Sequence, residues 1–332
     1  MRAVVVSKPG SVEVREVPDP SPEPDELLVQ VHRCGICGTD LHIVDGEYSL
    51  ASYPIVPGHE FSGEVVAVGR DVTGISAGTL VTADPNEPCG RCRPCREGHG
   101  NLCENFKAIG VTVAGACAEL VRVPYWLAKP LPAGFDMSVG ALVEPLSCVV
   151  HGYDVARPKL GDRFLVYGAG AMGLMLVALA ARVGALSVSV VEPNSERHEL
   201  ARSFGADTVA RTAEELGAGQ RYEIVIDASG VVGAIEDALA RVAPGGTFLQ
   251  FGVAASGAVA SFAPYRLFSD ELRFVGSMAV LHSFDRACDL AVNLDLGLGR
   301  LVSDVLPLSA YPEAIESARH GKGLKVQVAP LL

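Results

Sequence analysis

The sequence predicts an α/β chain of two domains, one an antiparallel, barrel-like β domain and the other a doubly wound parallel sheet. Three observations carry that expectation. At 332 residues the chain is long enough for two hydrophobic cores. Its opening third is built of short β-branched runs broken by glycine and proline. A later stretch alternates buried-strand and helical patterns and includes a strand, a GxGxxG turn and a helix.

Taken in order, AVVVS, VEVREV and LLVQV between Arg2 and Val31 read as strands of the first domain, with Pro18 to Pro24 a solvated loop. Phe61 to Gly69 and Thr79 to Ala83 continue the pattern. Between these runs lies a stretch rich in metal-binding residue types. Cys37-Gly-Thr39-Asp-Leu-His42 is followed by Gly58-His59-Glu60. Zinc favours thiolate, imidazole and carboxylate, and a catalytic site uses three such ligands while keeping one position open. Cys37, His59 and a carboxylate suit it. Thr39 and His42 stand three apart in a segment able to form a helical turn, so their side chains share a face and suit a proton relay.

Cys89, Cys92, Cys95 and Cys103 follow within one polar loop, where Arg, Glu, Gly and Asn leave no apolar core for four thiols. A closed tetrahedral thiolate site gives so small a lobe its folding energy. Cys117 and Cys288 read as core thiols.

Phe164 to Tyr167 is a buried strand running into Gly168-Ala-Gly170-Ala171-Met172-Gly173 and an apolar helix, Leu174 to Val183. A second strand, Ser187 to Val191, ends in Glu192. A lone GxGxxG says little, but in this setting it marks a dinucleotide site. The glycines bring backbone N–H groups to a pyrophosphate, and Glu192 accepts from the adenosine ribose. That carboxylate favours NAD over NADP, although Arg197 offers a phosphate partner. Further strands at Glu223 to Asp227, Gly246 to Phe251 and Arg273 to Val275, with a helix at Ile235 to Val242, complete the parallel sheet. A last helix spans Asp285 to Leu296.

Composition narrows the function. The net charge of −12, with no basic run, argues against a nucleic-acid partner and fits a small, neutral substrate. The apolar stretch from Phe164 to Val191 is interrupted by glycines and Arg182, so it predicts no membrane span. The start, MRAVVVSKPG, has no secretory pattern, and a cytoplasmic protein is expected.

CGICGTDLH followed by GHEFSGEVVAVG resembles the zinc-dependent medium-chain dehydrogenase/reductase family, and within it the polyol (sorbitol or idonate) and threonine dehydrogenase branch. The resemblance runs to the GLKVQV tail. It implies a GroES-like catalytic domain over 1–149 and 283–332, with a structural-zinc lobe at 89–103, and a Rossmann domain over 150–282. It further implies that the four-cysteine lobe holds a second zinc remote from catalysis. Glu144, in the segment Leu142 to Ser147, is implied to reach the catalytic zinc, directly or through water, so Glu60 and Glu144 compete for one ligand position. Phe251, Gly252, Val253, Ser277 and Met278 are implied to line the nicotinamide pocket, with Met172 near the pyrophosphate and Arg197 beside adenine and ribose. Lys325 stands where relatives carry an arginine near the cofactor phosphates; a surface lysine is the alternative.

The expected activity is NAD-dependent oxidation of a secondary alcohol, a polyol, sugar alcohol or cyclitol, in a cleft between the domains of a homodimer or homotetramer. L-Threonine 3-dehydrogenase activity is the alternative. A zinc-free quinone reductase would have no use for the metal-binding residues, and a noncatalytic nucleotide-binding protein would not need Thr39 and His42 beside them. The loops Tyr48 to Tyr53 and Phe106 to Ala116 carry no readable substrate signal.

Overall fold

A computed structural model gives the structure of the chain and describes every residue except Ser49, Ala218 and Lys322. Of the loop from Tyr48 to Tyr53, Ser49 therefore lies outside the described residues. The chain forms two compact units, Met1–Ser147 with Val280–Leu332, and Cys148–Ala279. The division falls within the helix Val143–Ala156.

The first unit is mainly antiparallel. Its principal sheet runs in the order Val302–Pro307, Lys325–Ala329, Glu26–Gly35, Glu60–Val68, Leu80–Ala83, Ala128–Pro130, with Leu120–Pro124 also paired to Glu26–Gly35. Among the described strands of this unit, only Val302–Pro307 and Lys325–Ala329 pair in parallel. Arg2–Lys8 and Ser11–Glu16 make a separate hairpin. The β-branched runs predicted these strands because their apolar side chains fill one core: Val4, Val6, Leu27, Val29, Val31, Phe61 and Val65 are buried in a single cluster. The strands Glu26–Gly35 and Glu60–Val68 approach closely at Gly63, where a Cβ would lie 2.0 Å from the Gln30 carbonyl oxygen.

The second unit is a six-stranded, wholly parallel sheet in the order Thr208–Ala210, Ser187–Val191, Arg163–Tyr167, Tyr222–Asp227, Val242–Gln250, Arg273–Gly276. Numbered along the chain that order is 3-2-1-4-5-6, so the winding reverses beside Arg163–Tyr167. Phe164 to Tyr167 are all buried, as a strand covered on both faces requires. The apolar stretch after them divides into strand, turn, helix and strand. Among the described residues no helix is long and apolar enough to cross a membrane.

Several element ends differ from expectation. The helix after the glycine turn is Ala171–Ala180, starting earlier than Leu174 because Gly170 already serves as its N-cap. The helix expected from Ile235 to Val242 spans Val232–Ala240, and Val242 opens the next strand. The helix expected over Asp285 to Leu296 is Phe284–Asn293.

Candidate active site

The metal-binding cluster is assembled by a helix start and a strand start. Cys37 is the N-cap of the helix Gly38–Asp45. Asp40, at its third position, reaches back to accept the Cys37 N–H at 2.8 Å, half of the reciprocal bonding that closes a helix N-terminus. The other carboxylate oxygen accepts the Gly58 N–H at 3.2 Å and lies 3.8 Å from His59 Nδ1. Asp40 is fully buried and so holds the Cys37 turn and the His59 loop together. Glu60 opens the strand Glu60–Val68 opposite Gly35, where any Cβ would fall 2.2 Å from Glu60 Oε2. Gly35 is therefore the residue that leaves room for this carboxylate.

The ligand atoms of Cys37, His59 and Glu60 all lie within 4.8 Å of one another. His59 Nδ1 is buried without a hydrogen-bond partner. A buried imidazole whose Nδ1 faces the Asp40 carboxylate, clustered with a thiol and a second carboxylate, is the donor set that zinc completes, so the residues present fit a metal. Electrostatics agree. Burial works against the His59 imidazolium, but Asp40, Cys37 and Glu144 outweigh it and hold the pKa well above the ordinary value. Burial also raises Asp40, opposed by His59. Without a cation the cluster retains protons that a metal would displace.

Glu144, in the first turn of Val143–Ala156, stands outside the three-donor set. It is nonetheless buried and in the same field: burial pushes its carboxyl up to about 7, with His59 pulling down and Glu60 pushing up. Lys325 corrects the sequence reading, for it is neither exposed nor idle. It is 6% exposed, and its Nζ donates to both oxygens of Glu60, at 2.7 and 2.6 Å, and to the Ile36 carbonyl at 3.2 Å. Burial disfavours the ammonium, but Glu60 and Cys37 more than compensate and its pKa is raised. Neither Asp40 nor Lys325 was singled out for the metal cluster from sequence.

Thr39 and His42 both lie on the helix Gly38–Asp45, as their spacing predicts. The Cys37 thiol approaches Thr39 Oγ1 at 3.9 Å. His42 is half exposed, with Nδ1 2.9 Å from Glu47 Oε2.

The four-cysteine lobe also fits a metal. The sulfurs of Cys89, Cys92, Cys95 and Cys103 lie within 4.8 Å of one another, and no disulfide occurs among the described residues. Backbone N–H groups point at the sulfurs: Cys92 donates to Cys89 at 3.4 Å, and Cys89 and Asn105 donate to Cys103 at 3.2 and 3.3 Å. The N–H groups of Arg91 and Cys92 bring Cys89 down to about 6, while burial and the adjacent sulfurs push Cys95 up to about 12. Such sharing of protons ends when a cation takes all four thiolates. Cys95→Ser is expected to lower zinc content by one ion per chain and speed amide exchange over 89–103, read by elemental analysis and hydrogen-exchange mass spectrometry. Unchanged zinc content would refute this use of the lobe.

In the second unit the glycine turn has the shape a dinucleotide needs. Gly168 sits at φ 98°, open to few residues but glycine. A Cβ on Gly173 would lie 2.0 Å from the Gly168 carbonyl oxygen, whereas one on Gly170 would meet nothing within 4 Å. The open space at Gly170, the N-cap of the helix whose first N–H groups belong to Ala171, Met172 and Gly173, suits a pyrophosphate. Glu192 is buried at the end of Ser187–Val191 and accepts the N–H groups of Ala169 at 2.7 Å and Asn194 at 2.8 Å. It braces the glycine turn, and each oxygen keeps acceptor capacity for a ribose hydroxyl. Arg197 Nη1 is 3.9 Å from Glu192.

The implied nicotinamide-pocket residues lie just past the sheet's carboxyl ends. Phe251 and Gly252 donate their N–H groups to the Asp227 carbonyl, and Ser277 donates to the Gln250 carbonyl at 3.2 Å. Val253 is 85% exposed and Met278 42%. The Phe251 ring packs over Gly152, whose added Cβ would be 3.1 Å away, so packing is part of its role. Asp227, read only as a strand end, is fully buried and knots this edge. It accepts from Ser229, Gly230 and the Gln250 side chain.

Comparison with known proteins agrees with both halves of this geometry. The alcohol dehydrogenase GroES-like domain family matches residues 23–133, and the zinc-binding dehydrogenase family matches residues 171–293. The chain is 34% identical to D-arabinitol dehydrogenase 1 of Uromyces fabae, over 99% of this chain and 97% of that protein. It is 33% identical to L-threonine 3-dehydrogenase of Saccharopolyspora erythraea, over 98% of each. A zinc-binding dehydrogenase from Sinorhizobium meliloti, solved bound to NADP, superposes with a TM-score of 0.94 at 35% identity, over 99% of each chain.

Proposed function

Because the chain belongs to the zinc-dependent medium-chain dehydrogenase/reductase family, polyol and threonine dehydrogenase branch, and is an alcohol-oxidising enzyme of it, we propose that it converts a polyol, sugar alcohol or cyclitol to the ketone. The observation that carries the reading is the cluster of Cys37, His59 and Glu60, in which Cys37 caps the helix bearing Thr39 and His42 and Glu60 opens the strand Glu60–Val68. With zinc bound, the metal supplies the Lewis acidity that lowers the pKa of an alcohol hydroxyl, and a nicotinamide cofactor supplies the hydride acceptor.

The chain's own groups do the rest. Cys37, His59 and either Glu60 or Glu144 hold the metal, and Asp40 fixes the His59 ring. Thr39 Oγ1 takes the substrate hydroxyl proton while giving its own onward, and His42 passes it to solvent. Gly168, Gly170 and Gly173 admit the pyrophosphate. Glu192 holds the adenosine ribose, and its negative charge supports NAD over NADP. Arg197 and the relative solved with NADP support the other cofactor. The four thiolates support a second, structural zinc.

The likeness to L-threonine 3-dehydrogenase supports a second reading with the same machinery. One experiment separates them. A panel of polyols, cyclitols, simple secondary alcohols and L-threonine, each with NAD or NADP, is scored by absorbance of the reduced cofactor, with and without chelator. Turnover of a polyol with NAD, abolished by chelator, is expected. Turnover of L-threonine alone would decide for the alternative.

We place the protein in the cytoplasm, which four cysteines clustered as a metal site rather than as disulfides support. The net charge of −12 supports a small-molecule partner over nucleic acid or a membrane surface. A homodimer or homotetramer is supported by the open edge of the parallel sheet at Arg273–Gly276. Just before it in the chain, Tyr265 and Phe268 are 76% and 81% exposed.

A further inference from the structure

The helix Gly38–Asp45 ends at Gly46, whose φ of 80° lies in the left-handed region. Two N–H groups then turn back onto its last turn. Gly46 donates to the Ile43 carbonyl at 3.2 Å, and Glu47 donates to the His42 carbonyl at 2.8 Å. This pair of bonds is a Schellman closure, which brings together the side chains of the residue after the glycine and the residue five before it. That contact is usually apolar. Here it is polar, with Glu47 Oε2 2.9 Å from His42 Nδ1. The backbone fixes the approach, since a Cβ at position 46 would stand 2.6 Å from the Pro9 ring and at an unfavourable φ.

We propose that Glu47 is a positioning residue for the proton relay, holding His42 in the tautomer that keeps Nδ1–H toward the carboxylate and leaves Nε2 as the basic nitrogen. The inference rests on the relay role of His42 given above. A neutral imidazole donates through one nitrogen and accepts through the other, and a carboxylate at one nitrogen decides which. With Nδ1–H given to Glu47, the proton leaving Thr39 goes to Nε2. The imidazolium then returns that proton to water across a side chain that is 47% exposed.

The other charges near this helix end are engaged among themselves. Asp45 accepts from Arg319 of the packed helix Tyr311–Arg319 at 2.7 and 2.8 Å, and Glu316 lies 3.3 Å from the same guanidinium. Glu47 is thus the carboxylate directed at His42. An exposed pair of this kind contributes little to stability. Its contribution is the choice of nitrogen.

The test reads the tautomer directly. The zinc-loaded chain is labelled with ¹⁵N-histidine, and the His42 ring signals are assigned by their loss in His42→Ala. The wild type is expected to show Nδ1–H with Nε2 unprotonated, and Glu47→Ala to move the proton toward Nε2. In the same variant kcat should fall about five-fold, the factor one partly exposed hydrogen bond can hold, with KM and zinc content unchanged. Glu47→Gln, which keeps an acceptor oxygen, should retain the wild-type tautomer and most of the turnover. An unmoved tautomer in Glu47→Ala, or a moved one with undiminished kcat, overturns the role of Glu47. If His42→Ala itself leaves kcat and its pH profile unchanged, the relay reading falls and takes this inference with it. A slow His42→Ala beside an indifferent Glu47→Ala removes only the inference.

Discussion

His59→Ala is expected to lose turnover by on the order of a thousand-fold or more, together with one zinc ion per chain. Removing the imidazole takes away one of three clustered donors, and a Lewis acid's share of such a reaction is several kcal/mol, about a thousand-fold in rate for about 4 kcal/mol. The fold should survive, because Asp40 keeps its bonds to the Cys37 and Gly58 N–H groups, which hold the turn and loop without the ring. The comparison is therefore of zinc content, circular dichroism and reduced-cofactor absorbance in the variant and the parent. A variant that kept full turnover would show that His59 is no ligand of the working metal.

The same site gives a sign for pH. His59 without metal has a raised pKa, so below that value a proton occupies the nitrogen the metal needs. Zinc should accordingly be stripped by a chelator more readily as pH falls. Loss that quickened with rising pH would contradict the assignment.

How much of this was legible in the sequence follows from which constraints are local. The parallel sheet was readable because strands buried on both faces must be apolar throughout, and because a turn admitting a pyrophosphate must be glycine at fixed spacings. The four-cysteine lobe was readable because so few residue types bind zinc. Asp40 escaped notice although it lies between Thr39 and His42. The residue it caps is a cysteine, which hides the usual Ser/Thr signature of a helix start. The segment Leu142 to Ser147 enters the sequence reading only as the place of Glu144, whereas it belongs to the helix Val143–Ala156, where Pro145 in the first turn loses no intrahelical bond. The Glu60–Lys325 pair was out of reach for a different reason. It joins residues 265 positions apart across Glu26–Gly35, the strand that lies between Lys325–Ala329 and Glu60–Val68, and no local pattern announces such a contact.

That pair carries the largest expected effect on stability. In zinc-depleted protein, Lys325→Met should lower the unfolding free energy by about 3 kcal/mol, because it leaves the Glu60 carboxylate in the core without its cation. Methionine fills nearly the same volume, so little of the loss is cavity. If the cost is an unpaired charge, Lys325→Met with Glu60→Gln should be less destabilised than Lys325→Met alone, and denaturant titration of the four proteins gives the coupling. Zinc supplies a second check. Glu60 is within reach of the same cluster as Cys37 and His59, so a bound cation can take over the partner that Lys325 provides. Loading the metal should then recover part of the loss in Lys325→Met while adding less to the parent. Equal stabilisation of both by zinc would mean that lysine and metal do not compete for this carboxylate, and Glu144 would become the better choice for the remaining ligand.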